Sequence, residues 1–246
     1  MTHHQPHLTK FAISLISSCL LAACGGGGGG SSGSSDQVTP TTFPTSSAVS
    51  TFYSKAQSFS LSATHSSGVK YALSYQISAP VATTSPSSGY AYTNGNSKVG
   101  IQATISASGS TVSTQTFTRY IRTSPFSYSY LQKGSGPYTL YTALAELPSS
   151  STSFSSTQMA SGRVFATTPG CQASGLFNCY AGDTSLRASL TPIDQASAWL
   201  CFTSSDSISD LYRASAQEEC LRIDASGTTL GLRVTFTVSG QLLQFQ

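Results

Sequence analysis

The sequence is poor in charged residues. Of its 246 residues only 9% are Asp, Glu, Lys or Arg, and the formal net charge is +3. Exposed helix faces normally carry Glu, Lys and Arg, so this scarcity argues against a helical bundle. No run of Lys or Arg occurs, which disfavours a nucleic-acid partner. Ser and Thr are abundant instead, with 48 and 30 residues.

The N-terminal segment has the pattern of an export signal. Lys10 precedes an apolar stretch of about a dozen residues, which is too short for a membrane span. The stretch ends in Leu21-Ala22-Ala23-Cys24. A branched apolar residue, two small residues and a cysteine in this order resemble the lipobox of bacterial lipoproteins. The resemblance implies a diacylglyceryl group on the Cys24 sulfur, cleavage before Cys24 and acylation of the new amino group, for example with palmitate. Residues 1–23 would then be the signal peptide.

Residues 24–50 have the composition of a tether. Residues 25–30 are six glycines, and Gly, Ser, Thr and Pro dominate up to residue 50. Such segments behave as flexible coils, and acyl chains on Cys24 would hold the protein on a lipid bilayer. By the same resemblance, Gly25 after the lipidated cysteine suggests the outer membrane of a Gram-negative cell. An ordinary secretory signal that adjoins a cysteine is the alternative.

Four cysteines lie beyond Cys24, all in the last third of the chain: Cys171, Cys179, Cys201 and Cys220. An even number in an exported chain predicts disulfides. Three pairings are possible, and we favour Cys171–Cys179 and Cys201–Cys220. Zinc sites use tighter Cys-x-x-Cys spacings, so we expect neither a metal nor a cofactor.

Alternation of apolar and polar residues predicts strands at 69–77, 99–105 and 230–238. Weaker strand candidates lie at 59–63, 116–121, 126–131, 138–144, 163–167, 186–190, 198–203 and 221–223. Turn-forming clusters of Gly, Pro, Asn and Ser separate them. Strands at this spacing predict an all-β protein with antiparallel, sandwich-like sheets.

The composition changes at residues 148–153, since the four later cysteines all follow this break. We therefore expect two β-sandwich-like modules, 51–147 and 154–246, the first immunoglobulin-like. A single continuous sandwich is the alternative. Helical spacing after Asp206 predicts a helix over Ser207–Glu219, and residues 192–198 suggest one further helical turn.

Catalytic motifs are scarce. His65 is the only histidine beyond the leader, and it lies in a polar, turn-like segment. The Gly-x-Ser-x-Gly match at 29–33 falls in the tether, without the strand and helix that a nucleophile elbow needs. Asp206 to Asp210 lacks the glycine and distal Glu of a calcium loop. Carboxylates that could serve glycoside hydrolysis are Glu146, Asp183, Asp194, Asp206, Asp210, Glu218, Glu219 and Asp224. We interpret Glu218-Glu219 as a solvated surface pair and Asp224 as a turn former.

An aromatic set forms a possible binding face: Tyr120, Tyr128, Tyr130, Tyr138 and Tyr141. Exposed tyrosines offer large contact areas to sugars or proteins at low entropic cost. Packing of these rings in the core is the other interpretation, and it is the one we favour. Trp199, near Cys201, is expected to pack against a disulfide.

Two hypotheses for function follow. The first is a lipid-anchored envelope lipoprotein that is not an enzyme and whose β modules bind a protein or glycan or serve a structural role. The second is an envelope hydrolase that acts on polysaccharide or peptidoglycan through a carboxylate pair. The first is favoured because the sequence contains no complete catalytic set.

Overall fold

The computed structural model describes residues 41–83, 96–123, 126–133, 138–165, 180–206 and 218–246. These residues form a helix, α1 (Thr45–Phe52), and thirteen strands. The strands are β1 (Gln57–Thr64), β2 (Lys70–Ile77), β3 (Val81–Ala82), β4 (Asn96–Ala107), β5 (Ser110–Thr123), β6 (Phe126–Lys133), β7 (Tyr138–Leu144), β8 (Phe154–Phe165), β9 (Tyr180–Pro192), β10 (Ser197–Asp206), β11 (Glu218–Asp224), β12 (Thr229–Val238) and β13 (Gln241–Phe245). The all-β prediction is confirmed.

The strands form one antiparallel meander. Each strand pairs with the next, in the order β1-β2-β4-β5-β6-β7-β8-β9-β10-β11-β12-β13, and β3 continues the line of β2 along β4. The two ends of this order also meet. The Ser62 amide donates to the Gln246 carbonyl at 3.1 Å, and the Gln246 amide donates to the Ser62 carbonyl at 3.2 Å. The sheet therefore closes on itself, and neither β1 nor β13 is a free edge.

Alternation along the strands sorts side chains between a buried and an outer face. In β2, Leu73, Tyr75 and Ile77 are buried and Gln76 is exposed. The same rule holds in β12, where Val234 and Phe236 are buried. Buried apolar residues of both halves of the chain form one core cluster. Burial of this apolar area is the main force that holds the meander together.

Tight turns link several strands, and two of them need unusual backbone angles. Ser108 and Gly109 join β4 to β5 with φ values of 50° and 80°. Ser239 and Gly240 join β12 to β13 with φ values of 50° and 79°. Two successive positive φ angles are the feature of a type I′ hairpin, whose twist matches that of the strands. At Ser108-Gly109 the prediction that clusters of Gly and Ser separate the strands is confirmed.

Helix α1 is part of the folded body. Its residues Ala48, Val49 and Phe52 are buried in the common core. Before the helix, Phe43 forms two backbone hydrogen bonds with Ser151, of 2.8 and 3.0 Å. The prediction that residues 24–50 are all tether is thus wrong at its C-terminal end. The apolar side chains at helical spacing after residue 43 are buried by the sheet, which stabilises a short helix that would not persist alone.

The sheet does not divide where the composition changes. Strand β7 of the first predicted module pairs with β8 of the second, and Thr39–Gln246 form one compact unit. Residues 51–147 are not immunoglobulin-like in their described strands, because a meander lacks the Greek-key connection of that fold. The body is sandwich-like in that strands of both segments face one core. The alternative of a single continuous β body fits this connectivity.

The helical turn predicted at 192–198 is wrong. Residues 193–196 form a bend between β9 and β10, in which the Asp194 carboxylate accepts hydrogen bonds from the Ala196 and Ser197 amides. Of the predicted helix Ser207–Glu219, residues 207–217 lie outside the described residues, and Glu218 and Glu219 begin β11. In the described ranges, no helix has the length and hydropathy of a membrane span.

Candidate functional site

The tyrosines of the predicted binding face lie on adjacent strands. Tyr120 of β5 pairs with Tyr130 of β6, and Tyr128 pairs with Ile121. Tyr138 of β7 pairs with Gln132. Tyr120 is buried, and this burial raises the pKa of its hydroxyl. The side chains of Tyr128, Tyr130, Tyr138 and Tyr141 lie outside the described residues.

One predicted disulfide is present. Cys201 and Cys220 are bonded and lie directly opposite each other on β10 and β11. Cys171 and Cys179 lie outside the described residues. Glu218 approaches the two sulfurs, and the three potential ligand atoms lie within 4.8 Å of one another. Because the sulfurs are bonded to each other, they are not thiolates available to a metal ion.

Arg233 joins the disulfide to Trp199 on the outer face of β10–β12. Its Nη2 atom lies 3.1 Å from the Cys220 sulfur and 3.4 Å from the Cys201 sulfur. Its guanidinium carbon lies 4.7 Å from the centre of the Trp199 ring, a cation–π distance. Nη2 also lies 3.5 Å from a Glu218 carboxylate oxygen. The side chains on this part of the surface therefore contact one another.

A buried polar cluster joins α1 to three strands inside the sheet. Glu219 Oε1 accepts a hydrogen bond from the Tyr53 hydroxyl at 2.5 Å, and Glu219 Oε2 accepts one from the Tyr75 hydroxyl at 2.6 Å. Arg119 Nη1 donates to Glu219 Oε1 at 3.0 Å and also donates to the Tyr53 hydroxyl. The Arg119 and Glu219 side chains are 8% and 3% exposed. The cluster is thus a buried ion pair with additional hydrogen bonds from two phenols.

The electrostatics of this cluster keep Glu219 ionised. Burial of the carboxyl group raises its pKa, but the nearby Arg119 guanidinium lowers it, and the hydrogen bonds from Tyr53, Tyr75 and Arg119 lower it too. The net effect is a pKa below the ordinary value of a glutamate. A general acid needs a raised pKa, so this carboxylate is suited to structure and not to proton donation.

Sequence reasoning missed this cluster. The prediction that Glu218 and Glu219 form a solvated pair is wrong, because neighbours in a strand point to opposite faces. Glu218 is half-buried on the outer face and Glu219 is buried inside. The alternation of β11 indicated that Glu219 would be buried, since Glu219 lies on the same face of the strand as the apolar Leu221 and Ile223.

Several other carboxylates considered for hydrolysis serve as local hydrogen-bond acceptors. Asp224 accepts hydrogen bonds from the Ser226 hydroxyl and the Thr228 amide, which lower its pKa. This confirms Asp224 as a turn former. In the bend at Asp194, the amides of Ala196 and Ser197 lower the aspartate pKa. Glu146 lies 3.0 Å from Arg122. Asp183 lies in β9, whereas the side chain of Asp206 and all of Asp210 are outside the described residues.

His65 has the partners of a turn residue. Its Nδ1 atom lies 2.8 Å from the Ser67 hydroxyl and accepts the Ser67 amide at 3.1 Å. Its ring centre lies 6.3 Å from that of Tyr71. Within the described ranges, His65 has no carboxylate partner that could orient it as the base of a triad.

A groove on the outside of β1, β2, β4 and β5 offers accessible polar groups. It has a volume of about 790 Å³, and it is open to solvent. Strand pairing aligns four of its residues in one row across the sheet: Ser58, Gln76, Gln102 and Thr116. All four side chains are exposed. Strands lie about 4.8 Å apart, so the row extends over roughly 14 Å.

This groove, which we call the Gly100 groove, includes one lining residue without a side chain. Gly100 of β4 pairs with Thr118, and its amide donates to the Ser78 hydroxyl at 2.8 Å. A Cβ atom at position 100 would lie 3.4 Å from the Ser78 Oγ, an ordinary contact. The side chains of Gln102 and Thr116 make no hydrogen bond within the described part of the chain. Their donors and acceptors are therefore available to a ligand.

The comparisons with known proteins give no relative from which a site could be transferred. The chain matches no protein-family model, no curated protein and no solved structure. The roles of the Gly100 groove and the buried cluster are therefore inferred from their own geometry.

Proposed function

We propose that this chain is a lipid-anchored protein of the bacterial cell envelope that binds a partner without catalysing a reaction. The observation that carries the binding role is the Gly100 groove, where exposed amides and hydroxyls converge on one recess. Among them, the side chains of Gln102 and Thr116 make no hydrogen bond within the described residues. Such convergence of hydrogen-bonding groups is what fixes a ligand in a pocket.

The composition of the groove supports binding over catalysis. None of the groove-lining residues, all of them in the described ranges, is a histidine, cysteine or carboxylate. Hydroxyls such as those of Ser58 and Thr116 are weak nucleophiles unless a neighbouring base activates them. The buried Glu219 is already bound by Arg119 and two tyrosines. The composition of the groove and the contacts of Glu219 favour a protein or glycan that is bound over a substrate that is converted.

The envelope location rests on the leader. Its segment Leu21-Ala22-Ala23-Cys24 resembles a lipobox, and the glycine-rich residues that follow are suited to a tether. We propose that acylated Cys24 holds the body at the outer membrane of a Gram-negative cell. The tether would end before Phe43, where the chain becomes part of the folded body.

The anchor is tested by replacing Cys24 in cells that express the full chain. Cys24→Ala should abolish acylation, so the protein should leave the membrane fraction or accumulate as the unprocessed precursor. Cys19→Ala is the matched control, because Cys19 lies in the same leader and should leave processing unchanged. Mass spectrometry of the N-terminal peptide reads the result. A processed, unacylated wild-type chain would contradict the anchor.

The binding role is tested with the processed protein purified from membranes in detergent. Isolated peptidoglycan, outer-membrane polysaccharide and envelope proteins are incubated with it, and both retention and reaction products are measured. We expect retention of one component with no change in its size or composition. Release of shortened saccharides by the wild-type protein would favour the hydrolase instead.

A further inference from the structure

We infer that the Gly100 groove binds an uncharged, polyhydroxylated ligand, namely a segment of a neutral glycan. This inference rests on the proposed function and names the class of ligand for that binding module. Nothing in the sequence pattern alone pointed to this surface, because its residues come from four strands and meet only through the sheet register.

The charge of the groove selects a neutral ligand. Its polar lining consists of Gln, Ser and Thr side chains, and none of the lining residues is ionisable. A charged group that left water for this groove would find no opposite charge, so its desolvation would be uncompensated. Amides and hydroxyls each offer both donors and acceptors, and so do the hydroxyls of a sugar. The two sets of groups are complementary.

The shape of the groove suits a short chain of sugar units. The row from Ser58 to Thr116 crosses four strands and covers roughly 14 Å. A volume of about 790 Å³ lies within the range of small-ligand sites. The missing side chain at Gly100 leaves space beside this row, between Ser78 and Thr118.

A peptide is the less suitable occupant of this groove. Extended peptides gain most of their affinity by adding a strand to a free sheet edge. The groove lies on a sheet face, and the strand at one side of it, β1, is bonded to β2 and meets β13 through Ser62 and Gln246. A peptide here would leave its own backbone groups without ladder partners, whereas a glycan needs only the side-chain groups that are present.

The test measures binding of defined oligosaccharides to the full, processed protein in detergent. The neutral probes are the hexasaccharides of maltose, mannose and N-acetylglucosamine, and the acidic probe is the hexamer of galacturonic acid. Isothermal titration should detect at least one neutral probe and not the acidic one. Gln76→Ala and Gln102→Ala should each weaken this binding about tenfold, the effect of one or two lost hydrogen bonds.

A steric pair of variants locates the site. Gly100→Phe should abolish binding by filling the recess, and Gly100→Ala should reduce it less. Gly231→Phe is the matched control, because Gly231 is a strand glycine of β12 whose added Cβ would meet only the Arg222 Cβ, at 3.9 Å. This control should bind as the wild type does. Should Gly100→Phe fail to fold, the exposed glutamine variants decide the question.

Each of the other outcomes would refute one part of the inference. Binding of the acidic hexamer alone would refute the neutral ligand. Equal binding by the wild type and the groove variants would refute the site. If no oligosaccharide binds but an envelope component is still retained, the ligand class is wrong and the proposed function survives. If nothing is retained at all, both fail.

Discussion

The outer faces of the two halves of the sheet differ in how their side chains are used. On β10–β12, Arg233 contacts Trp199, both disulfide sulfurs and Glu218. On β1–β5, the row of glutamines, serines and threonines contains side chains with no partner, such as those of Gln102 and Thr116. The side chains of the first face contact one another, although in the described residues the Nε atoms of Arg222 and Arg233 are buried without a hydrogen-bond partner. The second face keeps exposed amides and hydroxyls that make no such contacts.

This difference arises although the backbone architecture is the same on both sides. Both faces belong to one antiparallel meander over one core. Aromatic, charged and cysteine side chains on one half stabilise the fold. Small neutral polar side chains on the other half contribute little to stability and leave a recess. Substitutions should therefore separate stability from binding according to the half on which they fall.

The largest expected effect comes from the buried cluster that joins the two halves. Glu219→Ala removes the carboxylate that pairs with the buried Arg119 guanidinium. Loss of one partner of a buried ion pair destabilises a protein by about 3–5 kcal/mol. Chemical denaturation should show this loss in the free energy of unfolding. We also expect α1 to be held less firmly in the core, because the adjacent Tyr53 is hydrogen-bonded to Glu219.

The control for this variant is the preceding residue. Glu218→Ala alters a half-buried carboxylate on the outer face and should cost at most about 1 kcal/mol. The pH dependence gives a second check. Because the pKa of Glu219 is lowered in the folded state, its stabilisation is present above the unfolded pKa of about 4.3 and is lost as pH falls through the folded value. Glu219→Gln should remove this part of the acid dependence, and an unchanged pH profile would contradict the assignment.

The next effect comes from the cross-link on the outer face of β10–β11. Replacing both Cys201 and Cys220 by Ala should lower the free energy of unfolding by about 3 kcal/mol, the loop-entropy value for a loop near this length. Binding of a neutral oligosaccharide at the Gly100 groove should persist under native conditions, because the groove lies on other strands. Parallel loss of stability and binding would show that the two faces are not independent.

The alternation of buried and exposed residues along the strands was the feature of this fold that could be predicted from the sequence. Leu73, Tyr75 and Ile77 are buried as their spacing predicts. Leu230, in contrast, keeps the apolar alternation of the predicted strand 230–238, which places it on the buried face, and yet it is 53% exposed. The register of β11 and β12 shifts at Arg222/Ile223, opposite the start of that strand. Such an irregularity depends on pairing between strands and leaves no mark in local alternation.

Long-range contacts explain what the sequence could not provide. Helix α1 lies in a Ser/Thr-rich stretch of low helix propensity, and it forms because the core buries its apolar side. Arg119 and Glu219 are 100 residues apart in the chain, so only the closed sheet brings them together. The Gly100 groove has the same origin, since each of its strands looks like an ordinary polar-faced strand. Pairing had to be known before either site could be recognised.

The smallest effect expected among these variants concerns Arg233. Arg233→Ala removes the cation from the Trp199 ring and the 3.5 Å ion pair with Glu218. A cation–π contact at a partly exposed site contributes about 0.5–1 kcal/mol, and an exposed ion pair adds less than about 1 kcal/mol. We therefore expect a loss near 1 kcal/mol in the free energy of unfolding.

Trp199 is the only tryptophan, so its fluorescence reports this face directly. Thr116→Ala, in the polar row of the other half, should change neither stability nor Trp199 fluorescence, because its exposed side chain makes no hydrogen bond within the described residues. An effect of Arg233→Ala as small as that of Thr116→Ala would remove the distinction between a face whose side chains contact one another and a face with unpartnered side chains.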